Sequence, residues 1–329
     1  MDKVANLTTA QRKELFSQAA FEMKSTNAIV EKDFWVVWIL NKLFSDAKLQ
    51  KILMFKGGTS LSKVFNLIGR FSEDIDLILD WRELTNQDLQ NTALSKNKQV
   101  KLNDEINTQA KIYIKEELLP IVKNLLAPLC SCKVDDTNEY NILISYPVAF
   151  SDNYLRPQVL LEIGPLASWT PSDYFSISPY VAEYFPNLLE KPSTQVKAIL
   201  AKRTFWEKAT ILHQEANRSS EKALPLRYSR HYYDLALMAN SKVKEEALKD
   251  LALLQQVVDF KMKFYPATWA RFEEAKAGSF KLVPSEVRRT QLQKDYKSME
   301  HMIFDKKLAF EDIIDILSSL EKSINSMKE

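Results

Sequence analysis

The stretch Phe55-Lys56-Gly57-Gly58-Thr59-Ser60-Leu61-Ser62-Lys63, followed by Arg70-Phe71-Ser72-Glu73-Asp74-Ile75-Asp76-Leu77, decides how this chain is read. Ile52 to Phe55 is a short apolar run that enters a glycine pair, and Thr59 to Leu67 has the spacing of a short helix. A strand, a Gly-Gly turn and a helix start together present a nest of free N–H groups that suits phosphate. The turn is not a Walker A loop, which needs a glycine directly before the lysine; here Ser62 precedes Lys63. Ile75 to Leu79 predicts a second strand. Side chains alternate along a strand, so Asp74 and Asp76 share one face, while Ile75 and Leu77 take the other, buried one. Each half is common by itself: Gly-Gly often marks only a tight turn, and a lone D-x-D often sits on solvated surface. In this order, two carboxylates on one strand face beside a phosphate nest describe a divalent-cation site. Mg²⁺ characteristically uses one or two carboxylates plus substrate phosphate oxygens. An EF-hand is excluded, because its fixed glycine and terminal glutamate are missing.

Glycine usage supports this focus. The chain has only 5 glycines in 329 residues, and Gly57, Gly58 and Gly69 fall within one short stretch. A glycine-poor chain that concentrates its glycines is bringing backbone close to something there. The rest of the composition narrows the class. Apolar residues are 46% and charged residues 27%, which fits a soluble globular protein and excludes disorder or a coiled coil. Lys plus Arg is 45 and Asp plus Glu is 43, for a net charge of +2, so a generic polybasic nucleic-acid coat is excluded, although a local patch is not. The N-terminal MDKVANLTTAQRKELF has no apolar core of a secretory signal. Phe34 to Leu40, the longest apolar stretch, falls far short of the ~20 residues of a membrane span. Cys130 and Cys132 are the only cysteines, at a spacing that suits neither a structural disulfide nor zinc. The expectation is a reduced, cytoplasmic protein with no membrane partner.

Outward from the central stretch, the first forty residues read as two helices, the second from about Ala28 to Phe44 with a stripe of Val30, Phe34, Val37, Trp38 and Leu43. Residues 84–101 are polar and read as an insertion. Asn103 to Leu126 is helical with a kink expected at Pro120. Leu129–Val134, Asn141–Val148 and Gln158–Ile163 form an expected meander, and Val196–Leu200 a last strand. Helices are expected over Phe205–Asn217, Ser229–Ala239, Lys244–Lys263, Trp269–Lys276, Ser285–Met302 and Glu311–Asn325. The fold class is α/β (α+β): a mixed sheet with flanking helices in the N-terminal half and a helical C-terminal half. The expected domains are 1–190 and 191–329.

Further candidates lie downstream. Glu162 stands in the apolar run Val159-Leu160-Leu161-Glu162-Ile163-Gly164, a placement that is costly unless the acid is paired, at an edge, or on a metal. Thr204 and Glu207 have the T-x-x-E spacing of a capping box, which puts Lys208 on the first turn of a helix. There it either reaches a phosphate or is an ordinary solvent lysine. Residues 197–231 carry eight Lys or Arg against three Asp or Glu. That excess is either a solvated face or a basic surface for a polyanion such as RNA. Arg288, Arg289, Lys294 and Lys297 make a second basic stripe with the same two readings. His213, His231 and His301 lack metal spacing, and His231-Tyr232-Tyr233-Asp234 is either a core contact or a site wall. No G-x-S-x-G occurs, so hydrolase chemistry with a nucleophile triad has no support.

FKGGTSLSKVFNLIGRFSEDIDLIL resembles the first motif of the nucleotidyltransferase superfamily, and most closely the AbiEii/AbiGii toxin family. The resemblance runs along nearly the whole chain through IVEKDFWVVWIL, VLLEIG, RTFWEKATILH, RHYYDLALM and FKLVPSEVRRTQLQKDYKSM. Generic nucleotidyltransferases place the D-x-D closer to the glycine pair. Fifteen residues separate Gly58 from Asp74 here, which favours the toxin branch. The resemblance implies a nucleotide-phosphate loop at Gly57, Gly58, Thr59 and Ser60, with Lys63 beside it and supporting roles for Arg70 and Ser72. It also implies metal ligation by Asp74 and Asp76, a third carboxylate at Glu162, a motif lysine at Lys208 and a motif acid at Asp234. By the same resemblance the chain is a Mg²⁺-dependent transferase that moves NMP from an NTP to an acceptor hydroxyl, with the 3′ end of tRNA or another RNA as acceptor. It would work within a toxin–antitoxin or abortive-infection pair, beside an AbiEi-like transcriptional regulator as antitoxin. The alternative is a nucleotide-binding toxin without turnover that acts by sequestration or partner contact; an aminoglycoside-like acceptor is a third option.

Overall fold

The computed structural model describes residues 1–72, 74–87, 89, 94–152 and 155–327. By its contacts the chain divides into two compact units, Met1–Val64 with Ser72–Ile199, and Phe65–Phe71 with Leu200–Glu329.

The first unit opens with helices α1 (Asp2–Ala5), α2 (Thr9–Met23), α3 (Asn27–Ser45) and α4 (Leu49–Ile52). Then come β1 (Leu53–Lys56), α5 (Gly57–Lys63), β2 (Asp74–Leu79), α6 (Lys96–Tyr113) and α7 (Leu119–Leu126). The strands β3 (Ser131–Asp135), β4 (Asn138–Ser145), β5 (Gln158–Gly164) and β6 (Ser172–Ile177), helix α8 (Tyr180–Tyr184) and strand β7 (Thr194–Ile199) complete it. Helix α2 starts at a capping box in which Thr8 and Gln11 satisfy each other's backbone N–H groups. The strand order is β3-β4-β5-β2-β1-β7-β6. Neighbours are antiparallel except β1 with β7 and β2 with β5, which are parallel.

One face of this sheet is apolar: Phe55, Ile75, Leu77, Leu161, Ile163 and Ala198 form a single core with Phe16, Phe34, Trp35 and Val37 of the helices. The alternating residues Lys56, Asp74, Asp76, Glu162 and Lys197 therefore belong to the opposite face. Within the helical layer, α3 buries three consecutive charges. Glu31 accepts the N–H groups of Ala149 and Phe150 at 2.7 and 2.9 Å, Lys32 donates to the Arg156 carbonyl at 2.9 Å, and Asp33 accepts the Tyr180 N–H at 2.6 Å. These side chains fasten three separate segments onto one helix.

Several expectations change in this unit. The irregularity near Pro120 is a π-helical turn over Ile114–Leu118, and Pro120 lies in the first turn of α7. Proline lacks an N–H and its ring crowds the carbonyl four residues back, so the preceding turn widens. The expected helix Thr59–Leu67 instead begins at Gly57 and ends at Lys63. Strand β6 was not expected. The division after residue 190 falls before β7, yet β7 is an interior strand, and the sheet's unit runs to Ile199. Of the expected insertion 84–101, residues 88 and 90–93 lie outside the described residues, and its end is the start of α6.

The second unit contains α9 (Ala201–Ala216), α10 (Ser229–Ala239), α11 (Lys242–Leu248), α12 (Leu251–Phe264), α13 (Glu286–Met299) and α14 (Phe310–Asn325). The single helix expected over Lys244–Lys263 is two, because Asp250 caps the start of α12 through the Leu253 N–H. Trp269–Lys276 is not a helix but two 3₁₀ turns, Thr268–Ala270 and Phe272–Glu274. The segment Phe65–Phe71 joins this unit through the backbone: Phe71 N–H donates to the Met302 carbonyl at 2.8 Å, and the Phe304 and Asp305 N–H groups donate to the Gly69 carbonyl. A Cβ at Gly69 would lie 2.7 Å from the Asp305 carbonyl carbon, so glycine is needed for that approach.

Helix α10 begins without a cap of its own; Asp295 of α13 accepts the Arg227 and Ser229 N–H groups at 2.7 and 2.8 Å and the Ser229 hydroxyl at 2.6 Å. Asp295→Ala is expected to lower stability by about 1–2 kcal/mol, read as a lower urea midpoint with an unchanged m-value.

Candidate active site

In the first unit, the alternation of β2 puts Ile75 and Leu77 at 0% exposure and leaves Asp74 and Asp76 partly exposed on the other face. Register extends this row across the sheet: Asp76 is paired with Lys56 of β1 on one side and with Glu162 of β5 on the other. Glu162 is exposed. The expected cost of an acid inside an apolar strand does not arise, because only alternate residues of β5 meet the core.

Gly57 is bound to this row by space. Its φ is +76°, and a Cβ there would overlap the Asp76 carboxylate and lie 2.8 Å from Asp76 Cβ. The glycine turn and the second aspartate therefore occupy one another's contact surface. Gly57→Ala is expected to cost about 1–2 kcal/mol for the left-handed backbone alone, with displacement of Asp76 added. A thermal melt several degrees lower, together with weakened divalent-ion binding by calorimetry, would check it.

Thr59 and Ser60 are buried, and their hydroxyls serve the loop itself. Thr59 Oγ1 donates to the Asp74 carbonyl and, at 3.2 Å, to the Ser72 carbonyl, while Ser60 Oγ donates to the Gly57 carbonyl at 3.1 Å. These bonds tie the first turn of α5 to the entry of β2. Contact with a phosphate from this loop would thus come from backbone N–H groups. Lys63 is also engaged: its ammonium is 2.8 Å from Asp33 Oδ1 and 3.7 Å from the Tyr180 ring centroid, with both charged side chains nearly inaccessible. Burial raises the Asp33 carboxyl, and Lys63 opposes that rise.

Metal-ligand chemistry here is all oxygen. The half-buried pair Asp74 and Asp76 fits a hard divalent cation that takes further oxygens from a phosphate. Among the described residues, no group of three or more His, Cys, Asp or Glu is gathered closely enough to hold an ion. Glu162 is related to the pair by strand register.

In the second unit, Asp234 on α10 is fully buried and carries two cations. Arg70 Nε donates to Oδ1 at 2.7 Å and Nη2 to Oδ2 at 2.8 Å, and Lys208 Nζ donates to Oδ2 at 2.7 Å. Burial alone would raise the Asp234 carboxyl, but Arg70 and Lys208 overcome it and hold the group well below the usual carboxylate range. Burial lowers the Lys208 ammonium, against the pull of Asp234. Half-buried His231 is pushed well down by burial and by Lys208 and Arg230.

Sequence spacing misjudged the entry to this cluster. Helix α9 starts at Ala201, so Thr204 is inside it and is no cap; its hydroxyl is buried without a partner among the described residues. Glu207 pairs instead with Arg203 at 3.0 Å, and Lys208 stands on the second turn rather than the first. Much of the basic excess is also neutralised: Lys202 pairs with Asp250, Arg203 with Glu207, Lys208 with Asp234 and Arg218 with Glu215. Arg288 is buried and donates to the Ser219 and Lys222 carbonyls, which breaks the second stripe. His213 is a core residue whose ring nitrogens meet the Arg271 carbonyl and the Lys281 N–H. The sequence reading missed Asp33 and Glu31, although both stand in the block IVEKDFWVVWIL; their charge inside an apolar helix was the available signal.

Comparison with protein-family models matches residues 38–316 to the family described as nucleotidyl transferase AbiEii toxin, type IV toxin–antitoxin system. The chain belongs to the AbiEii toxin family. Among solved structures, this AbiEii-family chain is similar to JHP933 from Helicobacter pylori, at 13% identity and a TM-score of 0.44, covering 90% of this chain and 93% of that one. It is also similar to MenT4, a nucleotidyltransferase toxin from Mycobacterium tuberculosis H37Rv, at 14% identity and a TM-score of 0.41, covering 98% of this chain and 100% of that one. A search of curated proteins gives no match. For an AbiEii chain the family assigns nucleotidyl transfer in general and implies an antitoxin partner. Among the described residues, no helix is long and apolar enough to cross a membrane.

Proposed function

We propose that this AbiEii-family toxin is a Mg²⁺-dependent enzyme that transfers NMP from an NTP to an acceptor hydroxyl, with the 3′ end of tRNA or another RNA as acceptor. The observation that carries this reading is the row of Asp76 and Glu162 on the open face of the sheet, with Gly57 packed against the Asp76 carboxylate where no side chain fits. Asp74 and Asp76 would hold Mg²⁺. Bound there, the ion would supply charge neutralisation to the phosphates and to the attacking and leaving oxygens of an in-line displacement. Backbone N–H groups of Gly57 to Ser60 bind phosphate oxygens, since the Thr59 and Ser60 hydroxyls are already donated within the loop. Glu162, beside Asp76 in register, would complete the shell of a second metal ion and so favour deprotonation of the attacking hydroxyl, with pyrophosphate as the leaving group.

In the second unit, Arg70 and Lys208 share one carboxylate, so the cluster carries an excess positive charge that suits an anionic group. Lys208 is the residue we assign to a phosphate there, with Asp234 and Arg70 as its positioning partners. The working place is the cytoplasm, where NTP, RNA and an AbiEi-like antitoxin would be met.

The test is incubation of the full chain with Mg²⁺, each labelled NTP in turn and total bacterial RNA, resolved on a denaturing gel. A labelled tRNA-sized band supports the proposal. The absence of any labelled band with every NTP, while NTP binding persists by calorimetry, would sink the transferase reading.

A further inference from the structure

Beyond the acid row, the same sheet face carries a ring-and-cation cluster at its β6 edge. Tyr174 of β6 is paired in register with Lys197 of β7. Val196 and Ala198 are buried in the helix-side core, so Lys197 and Tyr174 belong to the face that bears Asp76. Tyr174 is 61% exposed, although it is a large ring on a strand. Lys197 Nζ is 5.9 Å from the Tyr174 ring centroid and 5.5 Å from that of Trp169. Trp169 is buried over Met54, Ile78 and Ile199, which makes it the floor of the cluster. Arg82 also lies 5.7 Å from the same indole, but Asp80 holds it at 2.8 Å. Among the described residues, no carboxylate pairs with Lys197. The cluster thus offers one exposed ring, one cation open to an anion, and a fixed apolar base.

Its position relative to the acids follows from register. Phe55 is paired with Ala198, so Lys197 neighbours Met54, and two residues further along β1 stands Lys56, the partner of Asp76. Two residues along a strand are about 7 Å. Lys197 on β7 therefore stands two residues along and two strands across from Asp76 on β2, about 12 Å in all, a gap that a short single-stranded segment spans.

We infer that Tyr174 and Lys197, seated on Trp169, form the platform for a single-stranded nucleic-acid segment, with a base stacked on the Tyr174 ring and its phosphate at Lys197. This rests on the proposed transfer to RNA and names the residues of this chain that would seat that acceptor. Stacking on a ring tolerates any base, and a cation beside it tracks the backbone, which is how single strands are held without sequence preference.

The test measures binding without turnover: fluorescence anisotropy of a labelled single-stranded RNA with the full chain, beside calorimetry of NTP binding with Mg²⁺. Tyr174→Ala and Lys197→Glu are each expected to weaken RNA binding about tenfold, Tyr174→Phe to keep it, and all three to leave NTP binding unchanged. Lys197→Glu should also flatten the salt dependence by about one phosphate contact. RNA affinity equal in all variants would overturn the platform while leaving the proposed transfer intact. A wild-type chain that binds NTP and labels an acceptor, yet shows no affinity for single-stranded RNA, would overturn it as well. If the chain binds RNA through Tyr174 and Lys197 but transfers nothing, the platform stands and the transferase reading falls.

Discussion

Asp76→Asn is expected to remove nucleotidyl transfer while leaving the melting temperature where it was. The side chain fills the space against Gly57 that any Cβ at that residue would claim, and an amide of the same shape keeps that contact. What it loses is the negative charge. A carboxylate that anchors a divalent ion contributes several kcal/mol to charge stabilisation in the transition state, so transfer should fall roughly a thousandfold or more, equivalent to about 4 kcal/mol. The informative combination is the gel assay run beside a melt and circular dichroism. Transfer at the wild-type rate would remove Asp76 from the metal assignment; lost transfer with a collapsed fold would not distinguish chemistry from packing, and Asp76→Asn is chosen over alanine for that reason.

Asp234→Ala should be the most destabilising single change in the second unit. Arg70 and Lys208 would both remain buried with no counter-charge, since their exposures are 5% and 6%. Removal of one partner from a buried ion pair costs about 3–5 kcal/mol, and here one carboxylate serves two cations. Equilibrium urea unfolding should show this loss, and Asp234→Asn should fall between it and the wild type, because its one amide oxygen keeps an acceptor on one side while its NH2 faces a donor on the other. The pH dependence has a definite sign. Asp234 has a folded-state pKa held below its unfolded value, so its stabilisation is full above about pH 4 and is lost as the pH falls towards the folded value. A stability curve that rose on acidification would contradict the cluster's charge assignment.

The central stretch was legible because its signal is local. In β2, Asp74, Ile75, Asp76 and Leu77 alternate within four residues, and strand geometry converts that alternation into two faces without reference to the rest of the chain. The same logic failed at Glu162. Apolar neighbours on both sides suggested a buried acid, but Leu160 and Glu162 stand on the open face, and only Val159, Leu161 and Ile163 meet the core. Thr204 and Glu207 matched a helix start by spacing; Ala201-Lys202-Arg203 are good helix formers that carry the helix back to the end of β7. Strand β6 was invisible because it is an edge strand in which only Ile177 is fully buried. The buried charges were the hardest. Asp33 meets Lys63, and Arg70 meets Asp234 across 164 residues, pairings that no periodicity encodes.

That last separation sets an order of assembly. Synthesis proceeds at roughly 5–20 residues per second, so Arg70 leaves the ribosome on the order of ten to thirty seconds before Asp234 exists. During that interval the nascent chain holds its acids and its glycine turn but lacks the partner of the arginine between them. Segment 65–71 finds its own backbone partners, Met302 to Asp305, later still. A chain whose translation stops before residue 302 therefore carries its acids and glycine turn with segment 65–71 unanchored.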